Sequence, residues 1–151
     1  MRALIQRVSF AKVEVEQQII GEISNGLMVL LGVTHEDAQT DIDWLVKKIT
    51  QLRIFNDDNG KMNLSVTDLK GEILVISQFT LFANSKKGNR PSYTRSAPPD
   101  ISIPLYEQFV ASLKNIFEGK VETGSFGAEM KVSLLNDGPV TIMLDSRQPD
   151  Y

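Results

Sequence analysis

A chain of 151 residues, 42% hydrophobic and 23% charged, fits one domain with a real core. The net charge of −3 argues against a protein that holds nucleic acid by a global basic field, and zero cysteines with a single histidine, His35, leave no disulfide framework, thiolate site or zinc cluster. No secretory h-region and no apolar run of membrane length is present, so the expectation is a single domain over residues 1–151, cytoplasmic, free of the membrane, with no metal and no cofactor.

Residues 2–16 alternate in part, as in Val13-Glu14-Val15-Glu16, and a second run at 19–23 is placed to fold back on them as an antiparallel pair. Asn25-Gly26 is a turn, and the continuously apolar run 27–33 suits a strand covered on both faces. Thr40 with Asp43 resembles a capping box, and Ile42, Leu45, Val46, Ile49 and Leu52 recur at helical spacing, which predicts a helix packed on the sheet. Asp57-Asp58-Asn59-Gly60 reads as a turn, because the glutamate and spacing of a calcium loop are missing. Residues 73–82 read as a central strand. Lys86, Lys87, Arg90 and Arg95, interleaved with Gly88, Pro91 and Tyr93, then make an exposed basic loop, able to meet phosphates or simply solvated.

Pro104 suits the first turn of a second helix carrying Leu105, Phe109, Val110, Leu113, Ile116 and Phe117, with Gly119 as its stop. Over 121–145, short strand-prone runs are broken by Gly124, Gly127 and Asn136-Asp137-Gly138-Pro139. The expected class is α+β, with a mainly antiparallel, barrel-like sheet and two principal helices.

Two segments break the pattern. Ser77-Gln78-Phe79-Thr80-Leu81 puts hydroxyls and a carboxamide into an otherwise buried strand, at a cost of about 1–3 kcal/mol for each group left unpartnered. In an ideal strand Ser77 and Phe79 face one way and Gln78 and Thr80 the other, so one pocket takes all four only if the strand bends or ends there. Backbone N–H groups at a strand end offer another way to hold an oxyanion. Thr80 as a nucleophile needs a general base, and His35, in a turn-like stretch before the first helix, is a weak candidate for a Ser-His-Asp arrangement. The second segment, Asn136-Asp137-Gly138-Pro139-Val140-Thr141, reads either as a hairpin turn or as a rigid Gly-Pro that presents carbonyl acceptors to a pocket.

Together these two motifs resemble those of the D-aminoacyl-tRNA deacylases, and the likeness extends to the opening Met-Arg-Ala-Leu-Ile-Gln-Arg-Val, the Lys-Lys-Gly-Asn-Arg-Pro-Ser loop and Gly-Ser-Phe-Gly-Ala-Glu-Met at 124–130. The resemblance implies a homodimer in which a cis Gly138–Pro139 peptide reaches into the partner's active site. It implies hydrolysis of the ester joining a D-amino acid to the 3′-terminal adenosine of tRNA, with glycyl-tRNA as a further substrate and L-aminoacyl-tRNA rejected by collision with the Gly-Pro carbonyls. Ser77, Gln78, Phe79 and Thr80 become the catalytic set. Gly138, Pro139, Asn136, Val140 and Thr141 become substrate-binding, with Arg7 holding the Gly-Pro loop. Phe126, Gly127, Ala128 and Met130 are candidates for an adenosine pocket, the alternative for Phe126 and Met130 being plain core packing. Lys86, Lys87 and Arg90 would meet acceptor-stem phosphates.

Two mechanisms compete: attack by the Thr80 hydroxyl, or backbone N–H groups near Ser77 and Phe79 stabilising an oxyanion while the substrate's 2′-hydroxyl helps to activate water. The second is favoured, since it needs no missing base. The rival functions are a noncatalytic RNA-binding module and a hydrolase of other small esters.

Overall fold

Alternation along the strands explains why two apolar layers form. In a computed structural model, which describes residues 1–150, the chain runs β1 (Arg2–Val15), β2 (Gln18–Ile23), β3 (Gly26–Gly32), α1 (Gln39–Gln51), β4 (Phe55–Asn56), β5 (Met62–Leu64), β6 (Glu72–Ser77), a 3-10 turn (Phe79–Phe82), α2 (Pro99–Ile116), β7 (Val121–Thr123) and β8 (Lys131–Asp145). The main sheet has the order β2-β1-β3-β6-β7, with β8 laid along β1. The three pairings of β1 are antiparallel, whereas β3 with β6 and β6 with β7 are parallel. The sheet curls towards closure, and the Lys120 ammonium beside β7 donates to the Glu22 carbonyl of β2 at 2.6 Å.

On β3 and β6, Leu27, Val29, Leu31, Ile73 and Val75 point to the face covered by the helices, where Ile42, Leu45, Val46 and Ile49 of α1 meet Phe109 and Leu113 of α2. Met28, Leu74 and Ile76 point the other way and join Val8, Ala11, Val13 and Ile23 in a second buried layer. A strand apolar on both faces has to read as a continuous apolar run, which is the pattern of 27–33. β1 changes phase along its length. Ala3 and Ile5 feed the helix-covered core and Ala11 and Val13 the other, with the switch at a bulge between Val8 and Phe10.

The fold class and the β1–β2 pair follow the expectation, but several boundaries move. α1 begins at Gln39 rather than after Thr40, because the Asp41 carboxylate accepts the Ala38 N–H at 2.9 Å and closes the first turn there. α2 begins at Pro99, so Pro104 lies inside the helix, and it ends before Gly119 with Phe117 as its cap. The additional first turn buries Ser102, while Ile116 is exposed rather than core. The central strand stops at Ser77 and gives way to the 3-10 turn. Residues 131–145 form one long strand, so Asn136-Asp137-Gly138-Pro139 is not a hairpin turn. Among the described residues no helix is long and apolar enough to cross a membrane.

Candidate active site

The end of β6 builds the first wall. Ser77 lies level with Leu31 in the parallel pairing with β3, and the Gln78 N–H completes the ladder by donating to the Leu31 carbonyl at 2.7 Å. The chain then tightens into the 3-10 turn, whose Leu81 N–H returns to the Gln78 carbonyl at 3.3 Å. This turn packs so close to β3 that a Cβ on residue 32 would stand 3.0 Å from the Gln78 carbonyl oxygen and 3.1 Å from Leu81 Cβ, which is why glycine occupies that position. The first N–H groups of a helical turn find no acceptor within it, so those of Phe79 and Thr80 are free of the turn's own bonding. The Gln78 carboxamide donates to the Thr80 hydroxyl, which satisfies two of the polar groups in this apolar setting.

Ser77, Gln78 and Phe79 line a pocket of about 290 Å³, and Phe126, Gly127, Ala128 and Met130 line it too. Folding thus brings the first motif to the segment 124–130 in one cavity. Thr80 is not part of the lining; its hydroxyl is reached through Gln78. Two lining residues on α2, Ser102 and Tyr106, escaped sequence reasoning, Ser102 because the helix was expected to start after it. The Tyr106 hydroxyl donates to the buried Val75 carbonyl at 2.9 Å, and its ring meets Phe126 edge-on, centroids 5.7 Å apart. Burial pushes the Tyr106 hydroxyl up to about 12. A tyrosine inside the apolar pattern of a helix, whose hydroxyl needs a buried partner, is the signal that would have pointed there.

The pocket lining contains no Asp, Glu, His, Lys or Arg among the described residues. Tyr106, with its raised value, stays protonated at neutral pH. His35 is exposed, and its Nε2 lies 3.2 Å from the Thr94 carbonyl, away from the lining. The cavity therefore offers backbone and amide hydrogen bonds, hydroxyls and apolar surface, and none of its lining side chains among the described residues is a general base at neutral pH.

The second motif sits elsewhere in the same chain. Opposite Arg7, β8 departs from its pairing: Gln6 faces Thr141 and Val8 faces Asn136, so residues 137–140 form an excursion from the ladder. Asn136 closes its base. Its amide donates to the carbonyls of Arg7 and Val140, both at 3.0 Å, while its side-chain oxygen accepts from the Thr141 hydroxyl at 3.1 Å and the Gln6 amide at 3.3 Å. Arg7, 7% exposed, donates from Nη1 to the Ile54 carbonyl at 2.6 Å and from Nε to the Asp137 carbonyl at 3.2 Å, and pairs with the Asp137 carboxylate at 3.3 Å. Gly138 has φ of +112°, and its peptide bond to Pro139 is cis. The tip, Gly138 and Pro139, is exposed and lines no part of its own chain's pocket.

Lys86, Lys87 and Arg90 are exposed on the loop that follows the 3-10 turn, closed at its base by mutual hydrogen bonds between Asn84 and Ser92 at 2.8 and 2.9 Å. Among the described residues no three His, Asp or Glu side chains converge as a metal-binding group.

Comparison with known proteins gives this geometry a lineage. The chain is 61% identical to the D-aminoacyl-tRNA deacylase of Thermosipho africanus, over 98% of this chain and 99% of the relative. It is 58% identical to the D-aminoacyl-tRNA deacylase of Flavobacterium johnsoniae, over 97% and 98%. Its fold matches a solved structure described as c-Myc DNA Unwinding Element Binding Protein with a TM-score of 0.92 and 41% identity, covering 96% of this chain and 98% of that one. A sequence model of the D-Tyr-tRNA(Tyr) deacylase family spans residues 4–145, which include the pocket and the β8 excursion, and the chain is an enzyme of that family.

Proposed function

We propose that this chain hydrolyses the ester of D-aminoacyl-tRNA, releasing the tRNA and the D-amino acid, and that it does so without a side-chain nucleophile. The observation that carries the mechanism is the pocket lining, which combines backbone and amide donors with no general base. The 3′-terminal adenosine occupies the side made by Phe126, Gly127, Ala128 and Met130, with its base against the Phe126 ring. The scissile carbonyl then lies at the end of β6, where the Phe79 N–H and its neighbours hold the oxygen as it becomes an oxyanion. Water attacks the carbonyl carbon, assisted by the ribose 2′-hydroxyl, and the 3′-oxygen leaves with a proton. Gln78 and Thr80, bonded to each other, shape the pocket wall.

Chirality is read by the excursion of a second copy of the chain. Its exposed tip, Gly138 and Pro139, is braced by Arg7 and by the four hydrogen bonds of Asn136, more bracing than a surface turn needs. Seated in the partner's pocket, the Gly-Pro carbonyls occupy the direction an L side chain requires, so L esters are refused by overlap while glycine, with no side chain, passes. Val140 and Thr141 complete the base of this prong. Lys86, Lys87 and Arg90 meet acceptor-stem phosphates without reading sequence.

The test is deacylation of D-tyrosyl-tRNA and L-tyrosyl-tRNA by the purified protein, with and without chelator, and of D-tyrosyl-tRNA ending in 2′-deoxyadenosine. Loss of the D ester alone, insensitive to chelator and slowed about 100-fold or more by the missing 2′-hydroxyl, supports the reading. Equal rates on both enantiomers refute the chiral function, and full activity on the deoxy substrate refutes the mechanism. The name of the solved structure at 41% identity favours a second reading, a nucleic-acid-binding module. Such a module would retain tRNA on a filter and show no turnover.

A further inference from the structure

Phe79 does two things in this structure. It lines the pocket, and the residue is 57% exposed. Its ring meets that of Tyr93 edge-on, centroids 5.0 Å apart, and Tyr93 is 40% exposed. The pair is held from below, since the Ser96 hydroxyl donates to the Phe79 carbonyl at 2.7 Å and the Ser96 N–H to the Tyr93 carbonyl at 2.9 Å. Tyr93 directly follows Ser92, where the basic loop closes on Asn84. The two exposed rings thus connect a wall of the pocket to the loop that carries Lys86, Lys87 and Arg90.

We infer that Phe79 and Tyr93 form a stacking platform for the unpaired nucleotide that precedes the terminal adenosine of the tRNA. This rests on the reading that the pocket takes that adenosine. With the last nucleoside in the cavity, the strand leaves past Phe79, and the next base meets aromatic faces while its phosphates run towards the cationic loop. Single-stranded nucleic acids are gripped in this way, by π-faces for bases and positive charge for the backbone, with little dependence on base identity. The charge of the adjoining loop favours this occupant over an apolar protein segment, which would gain nothing from three exposed cations. The platform extends recognition one nucleotide beyond the reacting end and separates charged tRNA from small esters.

The experiment compares D-tyrosyl esters of adenosine and of the trinucleotide CCA, as kcat/KM, for the wild type, Tyr93→Leu and Tyr93→Phe. The wild type is expected to favour the trinucleotide by about tenfold, the lower part of the range for one stacked base. Tyr93→Leu, which keeps apolar packing on Phe79 and removes the ring, brings the ratio close to one, through KM rather than kcat; Tyr93→Phe preserves it. A wild-type ratio of one, or an unchanged ratio in Tyr93→Leu, overturns the platform. A change of oligomeric state in Tyr93→Leu with the ratio intact assigns the rings to a subunit contact and overturns it as well. Failure of the wild type on both esters and on D-tyrosyl-tRNA strikes the deacylase reading instead, so the two failures are distinguishable.

Discussion

Replacing Gly138 by alanine tests the excursion of β8 most sharply, because the structure states what the added carbon meets. Its Cβ would stand 2.5 Å from Arg7 Nη2 and 2.9 Å from Val140 Cγ2, at a backbone φ of +112°. The dihedral alone costs an L residue about 1–3 kcal/mol. Relief of the overlap requires the guanidinium to move, and it is bound to the buried Ile54 carbonyl at 2.6 Å, a charge-assisted bond of about 1.5–3 kcal/mol. The sum, about 2.5–6 kcal/mol, corresponds to a fall in Tm on the order of 10 °C for a chain of this length. If the prong moves instead, discrimination suffers, since displacement of a positioning group by about 1 Å costs on the order of 100-fold in rate. The assay is thermal unfolding together with the ratio of D-tyrosyl-tRNA to L-tyrosyl-tRNA hydrolysis, in Gly138→Ala, Arg7→Ala and the double variant. With Arg7 gone the overlap with Nη2 is gone, so the alanine should cost less than in the wild-type background, a coupling of about 1 kcal/mol or more. Strict additivity, or a Gly138→Ala protein with wild-type Tm and enantiomer ratio, refutes the account of why glycine is required.

Thr80→Val, assayed by single-turnover deacylation, should retain activity within about tenfold of wild type, because it removes only the acceptor of the Gln78 amide; a loss of about 1,000-fold or more would restore Thr80 as nucleophile. Neutralising Lys86, Lys87 and Arg90 together should weaken tRNA binding and flatten its salt dependence by a slope of about two to three, read from a log–log plot of affinity against salt; an unchanged slope removes this loop from the phosphate contacts. Asp145 is held below the usual carboxylate range even though burial opposes this, because the hydrogen bond from Arg2 at 2.7 Å, the Arg147 N–H and the nearby positive charges outweigh it. Its contribution to stability is then complete above the unfolded value of about 3.9 and is lost as pH falls through the folded value. Asp145→Asn should therefore lower stability at pH 7 by about 1.5–3 kcal/mol and flatten the acid limb of a Tm–pH curve; an unaltered limb would count against the pair.

What could be read before folding was whatever depends on short periods. The alternation of β1, the apolar run of β3 and the helical spacing from Ile42 to Ile49 each reflect a neighbouring surface that is apolar along the whole element, so they survive in the sequence as pattern. The misplaced boundaries fall where a single contact decides. Nothing in Thr40 or Asp43 says that the Asp41 carboxylate closes on Ala38, and nothing in residues 73–82 says that Gly32, on another strand, leaves room for the chain to turn after Ser77. That turn matters most. The objection that a strand sends Ser77 and Gln78 to opposite faces disappears once the strand ends between them, and both then line one cavity.

The second motif shows the limit more plainly. Asn-Asp-Gly-Pro reads locally as a hairpin turn because those residues tolerate tight backbone angles, yet it lies within one strand, β8, and bulges out of its ladder with β1. The information that makes it an excursion is held in Arg7 and Gln6 on β1, and in Ile54 after α1, none of which adjoins it in sequence. Strand pairing between distant segments creates the prong, and its exposed tip lines no part of its own chain's pocket. In the proposed dimer, this tip, braced at its root by Arg7 and Asn136, is the part that enters the second copy. The cavity bounded by Ser77, Gln78 and Phe79 does not include Gly138 or Pro139 of its own chain in its lining. If two copies of the chain meet as proposed, deleting Gly138 and Pro139 should abolish the preference for D-tyrosyl-tRNA over L-tyrosyl-tRNA in a deacylation assay while hydrolysis of the D ester persists; a retained preference refutes the proposed dimeric site.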